Sequence, residues 1–133
     1  MRYTQSYTYS IGVSPTTVSP VVAGMTYTVA VTVTWSGLCA GAAPDTFIYF
    51  EPYPFQFQGA TAGVMCDQQP SPVGGEVRCV LGISGAAGSI TSTVSLLAPA
   101  WLVTAQEWKI NFGVASEFWA NTNPATEVTV VFN

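Results

Sequence analysis

Period-two alternation over residues 25–35 is the feature that most restricts this chain. Tyr27, Val29, Val31, Val33 and Trp35 fall on one side; Thr26, Thr28, Ala30, Thr32 and Thr34 fall on the other. A strand points successive side chains to opposite faces, so the pattern predicts a sheet strand with an apolar face and a threonine face. A helix would scatter both sets around its axis.

The same alternation recurs at 3–13, 46–50, 76–81, 89–97, 108–114 and 127–132. It recurs more weakly at 55–58 with 63–66, which reads as one bent strand. Gly-, Ala- and Pro-rich stretches at 36–44, 68–75 and 82–88 separate these runs and read as turns. About seven or eight short strands at this spacing predict an all-β, immunoglobulin-like antiparallel two-sheet β-sandwich. An antiparallel barrel is the alternative. One domain is expected over 1–133, with 1–19 serving as an edge strand or as a strand swapped into a neighbour.

Charge narrows the partners. Arg2, Arg78 and Lys109 are the basic residues, against seven acids, and histidine is absent. Three dispersed cations do not release enough counterions to hold a polyphosphate, so no nucleic-acid partner is expected. The longest apolar run, 96–103, is far short of the roughly 20 residues of a membrane span, and no membrane insertion is expected. Without histidine, Ser–His and Cys–His machinery and imidazole metal sites are unavailable. The acids are dispersed in sequence, and Asp45, Asp67 and Glu76 read as solvated turn residues rather than calcium ligands. The chain is therefore expected not to be an enzyme, with no catalytic residue, no metal and no cofactor.

Cys66 and Cys79 stand thirteen positions apart across a Pro/Gly turn. That spacing allows either a disulfide or two reduced thiols buried as small apolar groups. Cys39, in a Gly/Ala loop, reads as a free thiol. Tyr53, Phe55 and Phe57 alternate after a proline and are candidate interaction residues, as are Tyr3, Tyr7 and Tyr9 in the first strand. Trp35, Trp108 and Phe112 share faces with aliphatic residues and read as core.

Several of these elements resemble the immunoglobulin-like "conserved repeat" module of bacterial and archaeal surface proteins. Gly24, Tyr27, Val29, Val31 and Val33 match its first strand, and Glu51, Pro52, Tyr53 and Pro54 match its acidic turn. Cys66 and Cys79 match its cysteine pair. Leu81, Gly82, Ala87, Gly88, Thr91, Thr93 and Val94 match the segment after it, and Asn121, Asn123, Thr126, Val128 and Val130 match its close. The resemblance strengthens the expectation of a Cys66–Cys79 disulfide and implies a spacer or adhesion module.

The expected function is a non-catalytic structural protein. The first expectation is a virion component, capsid-decorating or minor capsid, that packs through edge strands and a charge-poor surface. Residues 1–10 hold no apolar run like a secretory leader, which favours that setting. The alternative is a module of a secreted cell-surface adhesin, stalk or filament, extracellular or on the cell surface. A carbohydrate-binding module is the weaker alternative. Partners are expected to be protein, either copies of the chain or a capsid or surface lattice, with glycan a lesser expectation.

Overall fold

The computed structural model describes residues 8–36, 46–61, 65–69, 75–82, 87–103, 106–116 and 127–133. Their ten strands are β1 (Thr8–Ser14), β2 (Thr17–Val18), β3 (Thr26–Ser36), β4 (Thr46–Phe50), β5 (Gln56–Ala60), β6 (Met65–Gln68), β7 (Val77–Leu81), β8 (Ala87–Leu97), β9 (Trp108–Ser116) and β10 (Glu127–Phe132). They form two sheets, one ordered β1-β3-β8-β5 and the other β2-β10-β9-β4-β7-β6. All pairings are antiparallel except β10 with β2. The immunoglobulin-like sandwich is therefore present, with the larger sheet continued past β4 by β7 and then β6.

Alternation explains the packing. Val29, Val31, Val33 and Trp35 of β3 are buried, and Ile48 and Phe50 of β4 meet them from the facing sheet with Ile110, Phe112 and Val114 of β9. Phe50 packs on Phe112 with ring centroids 4.8 Å apart, and Phe55 on Phe132 at 4.5 Å. These rings fill one end of the core, where each aromatic side chain removes on the order of 150–250 Å² from water. The outward residues of β3 and β8 make a charge-free hydroxyl face, in which the Thr32 and Thr91 hydroxyls lie 2.8 Å apart.

Two sequence expectations change. Among the described residues the count is ten rather than seven or eight, because β2 pairs beside β10 and the 55–66 run divides into β5 and β6. Residues 55–66 are not one bent strand. β5 joins the smaller sheet and β6 the larger, so the chain crosses between sheets after Ala60. Gly59, at φ 139°, marks the register shift on β5. β1 pairs along its length with β3 of the same chain, at the edge of the smaller sheet.

Candidate functional site

The open face of the larger sheet concentrates the chain's few charges. Tyr49 on β4 stands opposite Gly113 on β9 and Arg78 on β7; beyond them lie Glu127 on β10 and Asp67 on β6. Glu127, Gly113, Tyr49, Arg78 and Asp67 thus form a single row across five strands. The next register outward brings Glu51, Glu76 and Asn111 alongside. A groove of about 390 Å³ opens there, lined by Tyr49, Phe50, Glu51, Tyr53, Glu76, Lys109, Asn111 and Glu127.

Local chemistry fixes several of these groups. Gly113 has no side chain, so the Tyr49 ring lies down over its backbone. Burial first, then the charges of Glu127 and Glu76, raise the Tyr49 phenol above its ordinary value of 10.0. Arg78 donates from Nε to Glu76 Oε2 at 2.7 Å while its guanidinium sits 5.4 Å from the centre of the Phe47 ring. Lys109 Nζ reaches Glu107 at 3.7 Å. Thr129 donates its hydroxyl to Asn111 Oδ1. Among the described residues, Glu51 and Glu127 form no ion pair.

The arrangement offers an acceptor-rich groove around a phenol held neutral at physiological pH. It can take hydrogen-bond donors and positive charge, and its carboxylates and phenol are groups able to accept and donate protons. Because the folded-state pKa of Tyr49 lies above its unfolded value, its contribution to stability is complete below about pH 10 and is lost as pH rises through the folded value. Urea midpoints measured from about pH 9 upward should fall in the wild type, and Tyr49→Phe should flatten that fall.

The residues singled out from sequence are dispersed. Tyr9 is not a surface contact: it is 1% exposed, and its hydroxyl lies 3.0 Å from that of Thr46 in the core. Phe55 is likewise buried, at 3%, because it packs on Phe132. Phe57 is half-buried, with its ring 5.8 Å from that of Phe50. Tyr53 alone of that trio is exposed, and it lines the groove. Tyr3, Tyr7, Cys39 and Asp45 lie outside the described residues. Cys66 and Cys79 are disulfide-bonded, joining β6 to β7 at directly paired positions. The bond lies within one sheet, unlike the inter-sheet disulfide of antibody domains. Among the described residues, no group of three or more His, Cys, Asp or Glu is placed to hold a metal. No described helix is long and apolar enough to cross a membrane.

No protein-family model matches the chain, and no curated protein matches it by sequence. Among solved structures, AvmM, described as catalysing macrocyclization in alchivemycin A biosynthesis, aligns over 96% of this chain and 88% of its own. The identity is 14% and the TM-score 0.47, a level of likeness that transfers neither activity nor substrate.

The expectation of a non-catalytic structural protein, not an enzyme, is withdrawn on geometry: it rested in part on acids dispersed in sequence, and the fold brings Glu51, Glu76 and Glu127 to line one groove. The virion setting was tied to the structural role and goes with it. The disulfide itself is compatible with an extracellular protein, since such bonds persist in oxidising compartments.

Proposed function

We propose that the protein binds ligands carrying a protonated amine in the groove on the open face of its larger sheet. One observation carries this reading: Glu51 and Glu127 line the groove and form no ion pair among the described residues. Two carboxylates held on either side of β9, Glu127 at the start of β10 and Glu51 just past β4, attract a cation most strongly when a ligand displaces the water between them. The Tyr49 phenol, raised first by burial and then by the charges of Glu127 and Glu76, is in keeping with this reading. Asn111 and the Tyr49 hydroxyl add neutral hydrogen-bonding groups. The protein is further proposed to act in an oxidising, extracellular setting, a reading the Cys66–Cys79 bond supports. Kinship with the conserved-repeat module is proposed at the level of fold only, supported by the two-sheet sandwich and that same bond.

Titration with n-butylammonium tests the reading. A small ammonium ion at an open groove should bind with Kd on the order of 1 mM, weakened by salt. Glu127→Gln should weaken it by roughly 2- to 5-fold, the range of an exposed ion pair, and Glu51→Gln with Glu127→Gln should weaken it further. Butyrate binding as tightly as butylammonium, or a double variant with unchanged affinity, overturns the proposal.

A further inference from the structure

We infer that the site has an apolar half, formed by the exposed Tyr53 and Trp101 side chains, and that its preferred ligand is a ring-bearing ammonium whose ring lies on that pair. This rests on the amine reading of the groove. Tyr53 belongs to both halves: it lines the groove, and its ring centre lies 6.1 Å from that of Trp101 at an interplanar angle of 37°. The two rings are 49% and 58% exposed, in a chain that buries most of its other described aromatic side chains at least in part.

The platform is built on anchored turns. On the β4–β5 connection, the Phe55 amide donates to the Pro52 carbonyl at 2.7 Å, and buried Phe50 and Phe55 hold either side of Tyr53. On the β8–β9 connection, the Leu102 amide donates to the Pro99 carbonyl at 3.0 Å, and buried Leu102 fixes the residue after Trp101. Neither ring is needed to fill the core.

Continuity with the groove selects the occupant. Glu51 lies two residues before Tyr53 and has no ion-pair partner among the described residues, so a purely apolar partner covering the pair would press against its carboxylate and strip its water. A flat ring joined to an ammonium satisfies both halves. Its ring stacks on the aromatic faces, and its charge sits near Glu51 and Glu127.

Comparing benzylammonium with n-butylammonium by amide-shift titration separates the two claims. The wild type should prefer benzylammonium by roughly 3- to 10-fold, the range of an aromatic pair. Trp101→Ala should reduce that preference to about 2-fold or less, and Trp101→Phe should retain most of it. Far-UV circular dichroism checks that each variant is folded. A preference that survives Trp101→Ala, or is absent from the wild type while butylammonium binds, overturns this inference and leaves the amine reading standing. Failure of both ions to bind overturns the amine reading itself. Benzyl alcohol binding as well as benzylammonium does the same.

Discussion

Replacing Gly113 with alanine is expected to abolish most ligand binding at the groove while leaving the sandwich folded. An added Cβ would overlap the Tyr49 ring, 2.7 Å from Cε1 and closer still to Cζ. The obstructing atoms are the far end of a side chain on the open face, so the ring can swing away without moving β4 or β9. Overpacking of this kind costs about 1–3 kcal/mol where nothing can yield. Here the strain is relieved outward, and alanine loses less backbone entropy on folding than glycine, by roughly 0.5–1 kcal/mol. The two effects should leave the net stability within about 1 kcal/mol of the wild type. The displaced ring would block the groove that Glu51, Asn111 and Glu127 line. Ammonium affinity should drop by tenfold or more, and the Tyr49 phenol should titrate nearer to its ordinary value as it leaves Glu127 and Glu76. Tyrosine absorbance during alkaline titration, with Tyr49→Phe to identify the signal, checks the second point. A folded Gly113→Ala protein with unchanged Tyr49 titration would show that the ring does not depend on this glycine.

Reducing the Cys66–Cys79 bond should have the largest effect on stability. β6 is four residues long and, among the described residues, pairs only with β7 at the outer edge of its sheet. Little else holds it, since Met65 is 80% exposed and Asp67 and Gln68 also face solvent. With the cysteines 13 positions apart, opening the bond restores loop entropy to the unfolded chain worth about 3 kcal/mol. For a domain of this size the melting temperature should fall by roughly 10 °C. The groove should survive, because β4, β9, β10 and the residues flanking β4 and β7 supply its lining and β6 supplies none. Calorimetry with and without a phosphine reductant, paired with butylammonium titration below the new transition, tests both halves. A reduced protein that melts as before would show that pairing with β7 alone holds β6.

Much of the fold is legible in the sequence because burial acts on one face of each strand. The bounds of β4 and β10 coincide with the alternating runs at 46–50 and 127–132, and β3 is displaced by a single residue. Residues 55–66 mislead for a physical reason. β5 and β6 are short edge strands in which every residue is exposed or half-buried, so neither has a fully buried residue to mark a face. The disulfide was legible from spacing and resemblance together.

The groove was not legible, although every residue lining it is ordinary in sequence. Glu51, Glu76 and Glu127 are brought together by the β7-β4-β9-β10 pairing, and register across four strands leaves no trace in linear spacing. Gly113 gave one available signal, a glycine within an otherwise alternating run, which marks a close approach by a neighbour. Which neighbour approaches depends on the Tyr49–Gly113 pairing. Tyr9 shows the converse: alternation placed it correctly on a strand face, but its hydroxyl pairs inside the core rather than with a partner.

Amide-shift mapping of butylammonium binding on the isotopically labelled protein tests the proposed function most directly. Perturbations should cluster at Tyr49, Glu51, Lys109, Asn111 and Glu127, and the hydroxyl face at Thr28, Thr32 and Thr91 should remain silent. Shifts spread evenly over both sheets, or confined to the hydroxyl face, would contradict an amine site in the groove.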